Sequence, residues 1–206
     1  SLDNHGYEFT AEATLINNEN FNWSIDANLS LVGNKIKTLV AGQDITYENQ
    51  ILREGETMYA LYGYKYYGSN PANGNPVYYK ADGTLVQGNI PTSTYKVFDP
   101  ANPGDIATAS SLGSSDKSIL GDVLPTYFGA FNTKMTYKNF DLSALIRFSG
   151  GNVIHNSTRR DLLNLNFTNN STEILGRWQS VAAPGDGMTP RLWASGNTFV
   201  NLTGNA

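Results

Sequence analysis

Three carboxylates near the beginning of the chain have the types and spacing that acid–base chemistry requires. Glu8 and Glu12 lie four residues apart, and Asp26 follows in the next extended stretch. A pair of such carboxylates is what a glycoside hydrolase uses as general acid and as base or nucleophile. In extended strands alternate residues share a face, so these acids fall on one polar face with Lys134 or Arg147 from farther along the chain. We therefore expect a solvated polar wall and no catalytic pair.

A second candidate for acid–base chemistry surrounds His155, which precedes Arg159 and Asp161. The segment is predicted to be a surface loop, and no nucleophile stands at a recognisable spacing from the imidazole. Gly150 and Gly151 follow a predicted strand, but the lysine of a phosphate-binding loop is missing. With no cysteine and two histidines, the chain also lacks the ligands of a zinc cluster. The sequence thus predicts neither an enzyme nor a cofactor site.

Aromatic side chains in the predicted loops offer binding chemistry instead. We expect them to be exposed, so that their faces stack on sugars or pack against a partner protein. The alternative is that they pack against neighbouring loops of the same protein. The candidate substrate-binding residues are Tyr66, Tyr67, Tyr78, Tyr79 and Trp193.

The composition of the 206 residues limits the class of protein that can position these groups. The net charge is −4 and there is no basic stripe, which argues against nucleic acid as a partner. Charged residues make up 16% of the chain, against roughly 25% in an average soluble domain. No apolar run approaches the roughly 20 residues of a membrane helix. Tyrosine- and glycine-rich segments with few charges indicate an extended, turn-rich β-protein.

Two stretches, 7–31 and 127–149, alternate apolar and polar residues on both sides of a short turn. This pattern predicts two antiparallel hairpins with strands as long as transmembrane strands, about 9 to 11 residues. Aromatic residues stand at the ends of the apolar faces, where a membrane protein has its aromatic girdles. The apolar positions are Tyr7, Phe9, Ala11, Ala13, Leu15, Phe21, Trp23, Ile25, Ala27, Leu29 and Leu31, then Tyr127, Gly129, Phe131, Thr133, Met135, Tyr137, Phe140, Leu142, Ala144, Ile146 and Phe148.

The lengths of the connections favour a membrane barrel over a sandwich. Both short turns fall on one side of the strands, and the long segments 32–126 and 150–206 fall on the other. Outer-membrane barrels have short periplasmic turns and long extracellular loops. The predicted fold is therefore all-β, a fragment of an antiparallel transmembrane barrel with long extracellular loops. The alternative is a soluble, secreted β-sandwich that binds carbohydrate, whose core would need bulkier residues than the mid-strand alanines.

Local signals predict further structure inside the long segments. The pair Asp82 and Gly83 predicts a tight hairpin between VYYK and TLV. Asn170, followed three residues later by Glu173, resembles a reciprocal helix cap, which predicts a short helix through Trp178.

The order of these motifs resembles the SusC/RagA family of TonB-linked outer-membrane proteins. The stretch NHGYEFTAEATLINNENFNWSIDANLSLVGNKIKTL looks like the family's paired strands. REGETMYALYGYKYYGSNPANGNPVYYKADGT and LGDVLPTYFGAFNTKMTYKNFDLSALIRFSGGNVIHN are similar to later segments of the family. The positions that carry the resemblance are Gly6, Glu8, Trp23, Asn28, Asn34 and Leu39, and later Trp178, Thr189, Pro190 and Arg191.

The resemblance implies that residues 1–206 are part of the barrel domain of a larger receptor in the bacterial outer membrane. Members are plugged barrels of roughly 22 strands, and the plug domain and its TonB-binding segment are absent from this chain. The implied function is TonB-dependent import of oligosaccharides or peptides, with outer-membrane lipid around the wall and a SusD-like surface lipoprotein as lid. No cofactor is implied.

The segment 103–121 departs from the family pattern. Many relatives carry an Asp- and Gly-rich stretch here that resembles a calcium loop, whereas ATASSLGSSDKS has Asp116 as its one carboxylate. Calcium takes six to eight oxygen ligands, several of them usually charged. The sequence therefore argues against a calcium site at this place.

Overall fold

The computed structural model describes residues 1–89, 92, 94–163 and 169–192. The chain divides into two compact units, Ser1–Leu61 with Gly121–Val153 and Tyr62–Leu120 with Ile154–Ala206. The strands are β1 (Leu2–Asn17), β2 (Phe21–Ile36), β3 (Ile45–Tyr47), β4 (Gln50–Leu52), β5 (Ala60–Gly63), β6 (Tyr66–Ser69), β7 (Pro76–Tyr79), β8 (Leu85–Asn89), β9 (Thr94–Val97), β10 (Ala109–Ser110), β11 (Ser118–Gly121), β12 (Tyr127–Tyr137) and β13 (Phe140–Gly150).

The first unit is built on a four-stranded antiparallel sheet in the order β1-β2-β12-β13. The two hairpins predicted from alternation are confirmed. In the first hairpin both strands are 16 residues long, which exceeds the predicted length because Leu2 to Tyr7 continue to pair with Leu31 to Ile36. In this unit the short strands β3, β4 and β5 also pair antiparallel in chain order.

The two hairpins are joined directly, because β2 pairs with β12 along its length. The register runs from Phe21 opposite Tyr137 to Leu31 opposite Tyr127. Beyond the last pair, the amide of Val32 donates to the carbonyl of Thr126 at 2.9 Å. The long connection therefore leaves and re-enters the sheet between two neighbouring strands.

The two short turns lie side by side at the same end of the strands of this sheet. The Asn18 side chain closes the first turn, since its Oδ1 accepts from the amide of Phe21 at 2.8 Å. Lys138, with φ +53°, and Asn139 form the second turn. The amide of Lys138 donates to the carbonyl of Asn20 at 2.9 Å, which links the two turns.

One β-bulge interrupts the alternation near the end of β1. The register shifts between Thr14 and Ile16, so that Ile16 and not Leu15 pairs with Trp23. Leu15 was predicted to continue the regular apolar row. The structure adds a bulge at this point, because the extra residue is left unpaired and the pairing resumes one position later.

The second unit contains a five-stranded antiparallel sheet in the order β6-β7-β8-β9-β10. The hairpin predicted at Asp82 and Gly83 is confirmed: Tyr79 pairs with Leu85, and Gly83 takes φ +84°. Asp82 Oδ1 accepts from the amide of Thr84 at 2.9 Å and fixes the turn. The buried cluster of this unit is Tyr66, Tyr78, Val86 and Leu163.

The helix predicted from the Asn170 and Glu173 spacing is wrong in type and in cap. A 3-10 helix spans Thr172–Gly176, and its N-cap residue Ser171 makes no side-chain cap. Glu173 is bound by Arg159 instead of the helix terminus, and the Asn170 amide donates to the carbonyl of Leu162. Further 3-10 helices span Val40–Gly42 and Ser114–Asp116.

The short helix α1 (Ser157–Leu162) was not predicted from the sequence. Its N-cap is Asn156, whose side chain accepts from the amide of Arg159 at 2.8 Å. Six residues are too few to show apolar periodicity, which explains why no pattern was visible. Over the described residues, no helix has the length and apolar character needed to cross a membrane.

Candidate functional site

The register of the four long strands brings their apolar residues onto one continuous face. Ala11, Ala27, Phe131 and Ile146 lie side by side across the sheet, and the neighbouring rows are equally consistent. This face is not a protein core: Phe9 is 57% exposed, Ile146 58% and Leu142 62%. The sheet thus carries a broad apolar surface that the described residues leave open.

Aromatic residues border this apolar face at both ends. One row contains Tyr7 and Tyr127, both paired with Leu31. The other contains Phe21, Tyr137 and Phe140, and the rings of Phe21 and Tyr137 meet edge to face at 6.4 Å. On β2 the rows are marked by Phe21 and Leu31, which are ten positions apart. This spacing is about 33 Å along the strand, at about 3.3 Å per residue. At the strand tilt of about 40° that is usual in membrane barrels, this spacing would correspond to a band about 25 Å tall, the height typical of such barrels.

Several aromatic rings lie flat across glycines of the neighbouring strand. A Cβ on Gly129 would stand 2.7 Å from the ring of Phe148, and a Cβ on Gly33 would stand 2.7 Å from the imidazole of His5. The Tyr127 ring covers Gly150 in the same way. The glycines give the rings room to lie along the sheet, which keeps the apolar face smooth.

The opposite face of the sheet carries the acids singled out in the sequence. Glu12 stands directly opposite Asp26, and the Asn132 amide donates to Asp26 Oδ1 at 2.8 Å. Lys134 pairs with Ser24 and Ser143, and Arg147 pairs with Ala130. The expected polar wall is therefore formed by all four strands, and the second hairpin carries Asp141 as well as Lys134 and Arg147.

The second acid–base candidate is not assembled around His155. Its Nδ1 lies 3.3 Å from Ser157 Oγ, whereas Arg159 binds Glu173 and Asp161 is bound by Arg160. Between residues 1 and 192, the described positions hold no group of three His, Cys, Asp or Glu side chains arranged for a metal ion.

In the 103–121 segment, Asp116 is used to hold the backbone. Its Oδ2 accepts from the amide of Gly113 at 2.9 Å, and its Oδ1 accepts from the amide of Ala81 at 3.3 Å. The hydrogen bond from Gly113 is the main cause that lowers the pKa of this carboxyl. Lys80 Nζ lies 3.9 Å from Asp116 Oδ2.

The candidate tyrosines separate into two sets. Tyr66 and Tyr78 are buried and meet edge to face at 5.4 Å. The hydroxyl of Tyr66 donates to the carbonyl of Met188 at 2.6 Å, and burial raises the pKa of both phenols. The expected exposure of these two residues is wrong, because neighbours on a strand point to opposite faces and one of those faces is the core.

Tyr67 and Tyr79 lie on the other face of the same strands. Tyr67 is 39% exposed, and its ring is 5.7 Å from Tyr79 and 5.9 Å from Phe98. The Lys65 ammonium lies 5.0 Å from the Tyr79 ring. The structure thus brings Tyr67 and Tyr79 together as an aromatic surface with a cation beside it. Trp193 lies outside the described residues.

One buried polar cluster was missed in the sequence. Gln87 is 1% exposed, and its Oε1 accepts from the side-chain amides of Asn70, Asn73 and Asn75. The cluster fixes the loop between β6 and β7. The run SNPANGNP is the signal that pointed to a structured loop, since asparagine and glycine are the residues that form side-chain-closed turns.

Three curated relatives match most of the chain. It is 31% identical over 192 residues to the TonB-dependent receptor P3 of Formosa agariphila, which covers 86% of the chain and 18% of that protein. The TonB-dependent receptors P39 and P26 of the same organism are each 27% identical, over 216 and 187 residues. The chain spans about a fifth of the length of these relatives. No family model matches the sequence.

The fold is found in solved structures of one transport complex. The RagAB peptide transporter superposes over 95% of the chain with a TM-score of 0.70, and its closed-closed state over 98% with 0.72. The identity is 19% in both comparisons, and the matched part is 20% or 21% of the solved chain. The predicted fold, an antiparallel portion of a barrel with long loops, is confirmed by this likeness.

Proposed function

Because the chain belongs to the TonB-dependent receptors of the SusC/RagA kind, which are outer-membrane β-barrel proteins, we propose that its long strands form part of the wall of a nutrient importer. The observation that carries this proposal is the exposed apolar face between two aromatic rows ten positions apart along β2, a spacing that suits the apolar band of a membrane barrel. The polar face with Glu12, Asp26, Lys134 and Arg147 would line the lumen, where water solvates the charges.

The imported substrate in this proposal is an oligosaccharide or a peptide. The solved complex that shares the fold is titled a peptide transporter, which supports peptides for that protein. The pair of the exposed Tyr67 and the half-buried Tyr79 supports a contact with either substrate, since aromatic faces stack on sugars and pack on side chains alike. Trp193 remains a predicted contact on the same grounds as in the sequence.

The partners follow from the mode of import. We infer that a SusD-like lipoprotein covers the extracellular loops and that TonB acts on a plug domain of the full-length receptor. No covalent step is required of the chain, because the energy for release would come from the inner membrane. The wall and the loops would then bind and admit the substrate without changing it.

The sandwich alternative differs in what covers the apolar face. A sandwich packs a second sheet about 10 Å above the first. Mid-strand residues such as Ala27 and Ala144 would then be inaccessible to oxygen and to water-soluble reagents alike. In the barrel wall the same residues face lipid.

Spin labels at Ala27 and Ala144 of the full-length protein in bilayers test the proposal. We expect frequent collisions with oxygen, which dissolves in the bilayer, and few with a water-soluble nickel complex. A matched label at Asn28, on the polar face, should collide more with nickel than the Ala27 label does. Poor access of both reagents to Ala27 and Ala144 would mean burial in protein and would overturn the membrane-wall assignment.

A further inference from the structure

A cleft of about 460 Å³ in the second unit is lined by two arginines and one aromatic ring. Its lining residues are Arg177, Trp178, Gln179, Arg191 and Leu192. None of the sequence motifs assigned to substrate contact includes these positions. The combination of two guanidinium groups with an indole in one cavity is what makes this cleft a candidate binding site.

Backbone hydrogen bonds hold the cleft in shape. The amide of Trp178 donates to the carbonyl of Thr189 at 3.0 Å, and the amide of Arg191 donates to the carbonyl of Gly74 at 2.9 Å. The indole nitrogen donates to the carbonyl of Pro71 at 2.9 Å. Gly74 has φ +71°, and a Cβ there would stand 2.6 Å from the indole ring. The ring therefore rests directly on the 71–74 backbone.

The loop beneath the indole is itself held by the buried Gln87 amide. The side-chain amides of Asn70 and Asn73 cannot be flipped, because their Oδ1 atoms accept from the backbone amides of Ala72 and Asn75. Their Nδ2 atoms must then donate, which fixes Gln87 Oε1 as the common acceptor. These hydrogen bonds fix the loop on which the Trp178 indole rests.

The nearest carboxylates of the same segment have other partners. Both oxygens of Glu173 accept from Arg159, which lowers the pKa of the carboxyl. Asp186 Oδ1 accepts from the amides of Met188 and Thr189, and Oδ2 accepts from the Thr189 hydroxyl. Arg177 Nη1 donates to the carbonyl of Ile174 at 3.3 Å. The two lining arginines give the cleft its positive charge.

We propose that this cleft binds a carboxylate group of the imported substrate. Guanidinium groups present a planar fork that matches a carboxylate, and such charge-assisted pairs are about twice as strong as neutral ones. Arg191 is partly removed from water, which lowers its pKa and strengthens its attraction to an anion. Trp178 supplies an apolar surface for the neighbouring ring or side chain. The proposal rests on the import function and names the chemistry of its substrate.

Two sources of carboxylate fit this chemistry, the C-terminus of a short peptide and the uronate of an acidic oligosaccharide. Binding to the purified full-length receptor is measured by calorimetry with N-acetyl-trialanine and its C-terminal amide, and with digalacturonate and its dimethyl ester. We expect the free acid of at least one pair to bind about 10-fold tighter than its neutral form, or more. The pair that shows this preference identifies the source.

The variants Arg177→Gln and Arg191→Gln should each abolish the preference for the free acid. Arg177→Lys should restore part of it, because the charge returns without the fork. Arg160→Gln is the matched control, since Arg160 pairs with Asp161 and does not line the cleft. Hydrogen exchange at the amides of Trp178 and Arg191 reports whether the cleft is intact in each variant.

Equal affinity for acid and neutral forms in the native receptor would overturn the proposal. So would a preference that persists in both glutamine variants. Either result leaves the collision experiment at Ala27 and Ala144 unaffected, so failure of the carboxylate site and failure of the membrane wall are distinguishable.

Discussion

At the scale of single residues, adjacent tyrosines on one strand have different surroundings. The Tyr66 side chain is 6% exposed and hydrogen-bonded to Met188, whereas the Tyr67 side chain is 39% exposed and touches only other rings in the described contacts. The same division separates Tyr78 from Tyr79. The four residues are of one type, so composition does not separate them. Their positions on the strands place Tyr66 and Tyr78 in the core, where they stabilise the fold, and place Tyr67 and Tyr79 on the face of the proposed substrate contact.

This division predicts opposite outcomes for substitutions at Tyr66 and Tyr67. In the full-length receptor, Tyr66→Phe should lower the free energy of unfolding by about 1 to 3 kcal/mol, because the Met188 carbonyl loses its buried donor. Tyr67→Phe is the control and should leave stability unchanged. Tyr67→Ala with Tyr79→Ala should reduce substrate uptake while the melting temperature stays close to that of the native protein.

The measurements are thermal unfolding in detergent and uptake by cells that carry each variant. Full uptake in the Tyr67→Ala, Tyr79→Ala double variant would rule out the tyrosine surface as a substrate contact. It would favour the alternative that these rings pack against neighbouring loops.

At the scale of elements, how much the sequence predicted depends on how far the signal extends. The strands of both hairpins were predictable because alternation over ten residues leaves one consistent face. The bulge at Leu15 was not, since a single extra residue changes the pairing without changing the composition. The prediction of a capped helix at Asn170 and Glu173 was wrong for a different reason. Glu173 binds Arg159 and does not bind the terminus of the 3-10 helix Thr172–Gly176.

The candidate site was harder to predict than the strands. Tyr67 and Tyr79 were found as residue types, but their separation from Tyr66 and Tyr78 depends on which face of β6 and β7 meets the core. The cleft around Arg177 and Arg191 depends on contacts between residues far apart in the chain. No local pattern brings them together.

The two faces of the long-strand sheet predict a contrast between neighbouring residues. Ala27 and Ala144 lie on the apolar face, between the aromatic rows, so an arginine there enters the hydrocarbon. Ala27→Arg or Ala144→Arg in the full-length receptor should cost about 2 to 4 kcal/mol of folding free energy. Asn28→Arg and Ser143→Arg place the same charge on the polar face, where water is available, and should be tolerated.

Folding into lipid vesicles under denaturant titration measures this contrast. The two members of each pair are adjacent in the sequence and share backbone surroundings. The difference between their folding free energies therefore reports the effect of the face on which the arginine lies. Equal costs at Ala27 and Asn28 would contradict the assignment of one face to lipid.

At the scale of the whole molecule, the two short turns lie at the same end of the strands, and both are therefore predicted to lie on the same side of the membrane. Asn18 and Asn139 belong to turns that are hydrogen-bonded to each other through Asn20 and Lys138. Short turns of outer-membrane barrels face the periplasm. Asp82 and Gly185 belong to the long segments and are predicted to face outward.

Single cysteines at these four positions of the full-length receptor test the orientation. An impermeant thiol reagent applied to intact cells should label positions 82 and 185 and spare 18 and 139. Permeabilised cells, in which all four should react, provide the control for reactivity. Labelling at 18 or 139 with none at 82 would reverse the orientation.

The direct pairing of β2 with β12 has a consequence for how such receptors diversify. The chain leaves this sheet after Ile36 and returns at Tyr127, beside the strand that it left, and a backbone hydrogen bond from Val32 to Thr126 closes the gap between the two strands. The intervening segment is thus a single connection between neighbouring strands, although it folds into sheets of its own. An insertion or deletion within it can therefore leave the register of β2 and β12 as it is.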